Sequence, residues 1–98
     1  SSVHVIARLN RDPVGTGRLD PAGKIGRIAV YTGLRGRGIG TLILRRLLDE
    51  ARRLGIREPF LHAQVQAVPF YEKLGFASEG DAFDEAGIPH VRMKHALE

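Results

Sequence analysis

Apolar and polar residues alternate from Val3 to Leu9, with Val3, Val5, Ala7 and Leu9 on one face. That period of two predicts a half-buried strand. Asn10-Arg11-Asp12-Pro13 is turn chemistry, and Val14 to Leu19 returns as the paired strand, weakened by Gly15 and Gly17. Asp20-Pro21-Ala22-Gly23 turns the chain again into a strand over Lys24 to Val30. The period then changes: apolar residues recur at 39, 43, 47, 51 and 54, with companions at 42, 44 and 48. This spacing predicts a helix from about Gly38 to Leu54, closed by Gly55 as its C′ residue. Its outer face carries Arg45, Arg46, Asp49, Glu50, Arg52 and Arg53, with opposite charges four apart at Arg45/Asp49, Arg46/Glu50 and Asp49/Arg53. Pro59 to Gln64 reads as a short buried strand and Val68 to Leu74 as a two-turn helix stopped by Gly75. Phe76 to Phe83 and Ile88 to Ala96 complete a hairpin around Glu85-Ala86-Gly87.

The order is strand, strand, strand, helix, strand, helix, strand, strand. It predicts an α/β fold of the α+β type, with a mixed, mostly antiparallel sheet. A central crossover from 24–30 to 58–64 should be right-handed and place those strands parallel. With 98 residues and 43% apolar content, the chain supports one domain, 1–98, around one core. No run approaches the roughly 18 to 20 apolar residues of a membrane span, and the N-terminus carries no signal-peptide pattern. The absence of cysteine excludes disulfides and thiolate chemistry and fits a reducing cytoplasm. A net charge of +4 suits a polyanionic small cofactor. It suits nucleic acid less well, because no Lys/Arg run exceeds two residues and six aromatic residues make no stacking platform.

Arg35-Gly36-Arg37-Gly38-Ile39-Gly40-Thr41 lies between the third strand and the long helix. A glycine-rich turn that feeds a helix start gathers free N–H groups at the positive end of the helix dipole, and so favours a phosphate or pyrophosphate. Glycine lets the backbone approach closely, and Arg35 and Arg37 add positive charge. The spacing is neither the dinucleotide fingerprint nor the P-loop. Written Arg35-x-x-Gly38-x-Gly40, it resembles the pyrophosphate-binding motif of the GNAT superfamily of acyl-CoA N-acyltransferases. Ala63-Gln64-Val65-Gln66-Ala67-Val68-Pro69-Phe70-Tyr71-Glu72-Lys73-Leu74-Gly75-Phe76 is similar to the next strand-and-helix unit of that superfamily, with Phe-Tyr-x-x-Leu-Gly-Phe as its more specific core. Phe83 to Met93 resembles the C-terminal hairpin of the ElaA/YjcF-like branch. The likeness is close over residues 24 to 95 and holds only in pattern before them.

The resemblance implies acetyl-CoA as co-substrate, no metal, and direct transfer of an acetyl group to a small-molecule or peptide amine. It assigns the pyrophosphate to the backbone of Arg35, Gly36, Arg37, Gly38, Ile39, Gly40 and Thr41. The pantetheine arm falls to Ile28, Ala29 and Val30, by pairing along a strand edge. Gln64 and Phe70 are further cofactor-binding candidates, and Lys73 falls near the phosphates. Tyr71 matches the tyrosine that protonates the departing thiolate. A phenol's pKa near 10 keeps it a donor at neutral pH, and a ring packed in the core with its hydroxyl at the rim is the competing reading. Many members place a glutamate base on the central strand; here Gly26 stands there, and Lys24 to Val30 has no carboxylate. His62 and His90 have a suitable pKa range, but each reads more readily as a packed or hydrogen-bonded strand histidine than as the base; water-mediated deprotonation and a base in the missing N-terminal part stay open. A non-catalytic CoA-binding module remains the alternative function, with a small nucleic-acid binder behind it. GNAT domains ordinarily begin with one more strand and two helices that wall the acceptor site, so the domain is expected to be partial. An uncovered surface at Val3 to Leu9 is then expected either to dimerise or to be covered by the rest of a longer chain.

Overall fold

The computed structural model describes residues 1–34 and 36–97. Strands β1 (Val3–Leu9), β2 (Asp12–Leu19) and β3 (Ile25–Val30) are followed by helix α1 (Ile39–Arg53) and strand β4 (Phe60–Gln64). Helix α2 (Val68–Lys73) and the hairpin β5 (Ala77–Glu85) and β6 (Ile88–Lys94) complete the chain. The elements follow the predicted order. Their pairing makes two three-stranded antiparallel sheets, β1-β2-β3 and β4-β6-β5.

β3 and β4 are the parallel pair that the crossover predicts, but they touch at one end only. Lys24 and Phe60 form a single parallel bridge, and the Phe60 N–H donates to the Gly23 carbonyl at 3.0 Å. Beyond that point the strands diverge. The edge of β3 from Ile25 to Val30 is therefore bonded to β2 on one side and to no described strand on the other.

α1 packs on β1, β2 and β3 through Ile43, Leu44, Leu47, Leu48 and Ala51, all buried. The same apolar cluster takes in Leu19 and Ile25, then Leu61, Ala63, Val91 and Met93 of the second sheet, so one core spans both sheets. Gly15 and Gly17 have a use that strand propensity hides. A Cβ on Gly17 would stand 2.7 Å from Ile43 Cγ2 and 2.9 Å from Leu47 Cδ1, and one on Gly15 would stand 2.9 Å from Ile43 Cδ1. These glycines weaken a strand in isolation; here they let the helix lie down on it.

Two bulges re-aim side chains. Ala7 pairs with Gly15 and Arg8 with Pro13, so Val14 is extra on β2. The phase of β2 changes there, with Val14 and Gly15 both buried, and Leu9 of β1, expected inward with Val3, Val5 and Ala7, is 47% exposed. Thr16 pairs with Ala29 and Arg18 with Gly26, so Gly17 alone stands opposite Arg27 and Ile28. Arg27 takes φ of 56° at that bulge. On α1 the ion pairs that form are three apart, Asp49–Arg52 and Glu50–Arg53, rather than four. The Arg53 fork reaches both oxygens of Glu50, a geometry that a single contact does not match. No described helix is long and apolar enough to cross a membrane.

Candidate active site

The segment before α1 is built by glycine. A 3-10 turn over Thr32–Leu34 ends β3's exit, and Gly36 and Gly38 then take φ of 83° and 78°, which side chains rarely adopt. Gly38 is the N-cap of α1, with no side-chain cap bond and no acidic residue in the first turn. The first backbone N–H groups of the helix are left for a ligand. A Cβ at Gly36 or Gly38 would meet nothing within 4 Å, so space in front of the turn is open.

That open space is the end of a groove of about 550 Å³ lined by Ile28, Ala29, Val30, Leu34, Gly36, Gly38, Ile39, Gly40, Thr41 and Phe70. The structure thus brings together nine of the residues expected at the cofactor. It does not bring Arg37 or Lys73 into the lining; both are exposed, Lys73 in the last turn of α2. Arg35 lies outside the described residues. The groove runs beside the unpaired edge of β3, whose amides are free to bond an extended ligand.

A second cleft, of about 260 Å³, opens where β3 and β4 part. It shares Ile28 with the groove and is lined further by Ile25, Gly26, Arg27, Leu61, His62, Gln64, Ala67, Tyr71 and His90. Tyr71 reaches it from α2, whose start is set by Pro69 and whose end is set by Gly75 at φ of 95°. The Tyr71 ring is wedged edge-to-face between Phe70, at 5.1 Å, and Phe76, at 5.8 Å. Burial pushes its phenol above the ordinary tyrosine pKa, so the hydroxyl keeps its proton at neutral pH. The ring packs, as the competing reading of this residue expects, and the residue also lines the cleft. Gln64 sits at the exposed end of β4 and accepts a hydrogen bond from Gln66 Nε2 at 2.7 Å, which places it at the cleft rather than along the groove.

The two histidines are joined by a residue that the sequence reading treated as part of a turn. Glu85 Oε1 accepts from His62 Nδ1 at 2.8 Å, and Glu85 Oε2 lies 3.5 Å from His90 Nε2. His90 Nδ1 also donates to the Ile88 carbonyl at 2.8 Å. The hydrogen bond from His62 holds the Glu85 carboxyl below the usual carboxylate range. Phe83 lies edge-on to His62 at 5.0 Å and stacks on His90 at 6.2 Å. Glu85 could have been noticed as a carboxylate placed directly before a two-residue turn, Ala86-Gly87, both at positive φ. Its partner His62 is 23 residues away, which no local pattern reveals. Among the described residues, no group of three or more His, Cys, Asp or Glu is arranged to hold a metal ion.

Residues 1–97 match the family model for an acetyltransferase (GNAT) domain. The uncharacterised N-acetyltransferase YjcF of Bacillus subtilis (strain 168) is 41% identical over 97 residues, covering 94% of this chain and 69% of that protein. YyaT of the same strain is 38% identical over 93 residues, covering 92% of this chain and 63% of that protein. The chain thus spans about two thirds of the length of these curated relatives. The crystal structure of an acyl-CoA N-acyltransferase from Pseudomonas aeruginosa superposes with a TM-score of 0.86 at 30% identity, over 97% of this chain and 68% of that one.

Proposed function

This chain belongs to the GNAT acetyltransferase family, and from that premise we propose that it is the cofactor-binding body of an N-acetyltransferase. It moves an acetyl group from acetyl-CoA to an amine by direct transfer. The observation that carries this reading is the continuity of the groove with the cleft: both include Ile28, so a ligand held at the glycine turn and along β3 ends beside Tyr71. The name of the Pseudomonas aeruginosa protein supports an acyl-CoA donor.

In this reading the free N–H groups of the α1 start, at Ile39, Gly40 and Thr41, hold the pyrophosphate with the positive end of the helix dipole. Gly36 and Gly38 shape the turn around it. The amides of the pantetheine arm pair with the free edge of β3 between Ile28 and Val30, as a peptide adds to a sheet edge, with Phe70 on the opposite wall. Held this way, donor and acceptor react in one step and no covalent enzyme intermediate is needed. The amine attacks the thioester carbonyl, and the departing thiolate takes the Tyr71 proton. The same reading places the protein in the cytoplasm, which a chain without cysteine suits.

The test is amine-dependent release of CoA thiol from acetyl-CoA across a panel of small and peptide amines. Release that depends on the amine supports the reading. Tight CoA binding with no release for any amine would leave the CoA-binding module in its place.

A further inference from the structure

We propose that His62 is the general base that takes the proton from the acceptor ammonium, with Glu85 as the residue that positions its ring. This rests on the acetyltransferase reading and supplies the group that β3 lacks. β3 offers no carboxylate, and a Cβ at Gly26 would meet nothing within 4 Å, so that wall of the cleft is empty. The other walls of the cleft carry the candidate proton acceptors.

Besides Arg27, which stays charged, three titratable side chains line the cleft: His62 on β4, His90 on β6 and Tyr71 on α2. Tyr71 keeps its proton. His90 is the less accessible of the two histidines: its side chain is 10% exposed against 24% for His62, Phe83 stacks on its ring, and its Nε2 lies 3.5 Å from Glu85 Oε2. His62 differs. An ionised carboxylate only accepts hydrogen bonds, so the 2.8 Å contact with Glu85 Oε1 requires the proton on His62 Nδ1. The neutral ring then carries its lone pair on Nε2, which has no hydrogen-bond partner among the described residues. The side chain is 24% exposed, enough for a substrate to reach it. Phe83 packs edge-on against the ring and fixes its plane.

Charged groups around the ring are accounted for from each wall. Glu85 on β5 faces it, His90 lies behind Glu85, and Lys24 acts on Glu85 from before β3. Arg92, opposite His62 in register, lies over the Phe60 ring at 3.9 Å and donates to Glu79 at 3.0 Å. Arg27 lines the cleft from β3.

The protons balance as follows. His62 Nε2 takes one proton from R–NH3⁺ and becomes an imidazolium paired with Glu85. The freed R–NH2 forms the C–N bond as the C–S bond breaks, and Tyr71 protonates the sulfur. The second amine proton restores Tyr71, and His62 returns its proton to solvent after product leaves.

The experiment is the pH profile of kcat/KM for wild type, His62→Gln and Glu85→Gln, with CoA titrations as the check on folding and donor binding. Wild type should show an acid limb, activity falling as the base takes up a proton before substrate arrives. His62→Gln should lose about 10²- to 10⁴-fold and that acid limb with it, with CoA affinity unchanged. Glu85→Gln removes the charge that stabilises the imidazolium, so its acid limb should move to lower pH while the plateau falls. A role in packing alone would move neither limb. Ring ¹⁵N spectra of the wild-type protein give a readout that needs no variant: neutral His62 should be protonated on Nδ1. Full activity with an unchanged limb in His62→Gln, or a ring protonated on Nε2, overturns the proposal while leaving the acetyltransferase reading intact. A wild-type protein with no amine-dependent turnover at any pH overturns that reading, and the base assignment with it.

Discussion

Gly40 is the position at which cofactor binding can be separated from folding. Gly38 cannot serve, because its φ of 78° would strain any side chain whether or not a ligand is bound. Gly40 sits in the first turn of α1 without positive φ, and its nearest neighbour to an added Cβ would be Val30 Cγ2 at 4.0 Å. That is ordinary contact, made on the wall of the groove itself. Alanine in a helix is favoured over glycine by up to about 1 kcal/mol, and valine keeps a part of that gain. Gly40→Val should therefore melt at or slightly above the wild-type temperature. Its branched side chain would occupy the space where a pyrophosphate approaches the N–H groups. A hydrogen bond to a charged group contributes about 1.5–3 kcal/mol. Losing two of them, about 3–6 kcal/mol, corresponds to roughly 10²- to 10⁴-fold weaker binding. Calorimetric titration with CoA, set beside a thermal melt, measures both quantities. A variant that melts like wild type and binds CoA with unchanged affinity would refute the placement of the phosphates.

Tyr71→Phe keeps the ring between Phe70 and Phe76 and removes only the proton donor, so kcat should fall by about 10²- to 10⁴-fold with CoA affinity unchanged; a mutant with full kcat returns Tyr71 to packing alone. Because burial raises its phenol pKa, no loss of rate from Tyr71 ionisation should appear through neutral and mildly alkaline pH. Gly17→Ala pushes a Cβ to 2.7 Å from Ile43 Cγ2 and should cost about 1–3 kcal/mol by overpacking, read as a lower urea midpoint at unchanged slope; Gly26→Ala, with nothing within 4 Å, should show no such loss. Glu79 is held below the usual carboxylate range, first by Lys94 at 2.8 Å and then by Arg92. Its contribution to stability is present above the unfolded pKa and is lost as pH falls through the depressed one, so the wild-type advantage over Glu79→Gln should vanish on acid titration.

Local periodicity made the elements legible. Val3 to Leu9 alternates and residues 39 to 54 repeat at helical spacing, and both elements are present nearly to the residue. The glycine-lined groove was legible for the same reason: Gly36, Gly38 and Gly40 are neighbours in sequence as well as in space. What pairs across distance was not. A bulge at Arg27 has no local sign, because arginine is not a residue that φ of 56° favours. Gly17 reads as a weak strand residue until the helix that rests on it is known. Glu85 reads as turn chemistry until His62 is found beside it. Whether β3 and β4 stay paired or part depends on both sheets together, and that parting makes the cleft.

β6 follows both of its partners along the chain, yet lies between them in the sheet. β4 and β5 share no ladder with each other, so neither has a partner until residues 88–94 exist. On a chain growing from its N-terminus, β1, β2, β3 and α1 can already close around the glycine turn. The second sheet, with His62 and Glu85 on it, must wait for its middle strand. A nascent chain therefore assembles the glycine turn and the free edge of β3 before the cleft beside them has its second wall.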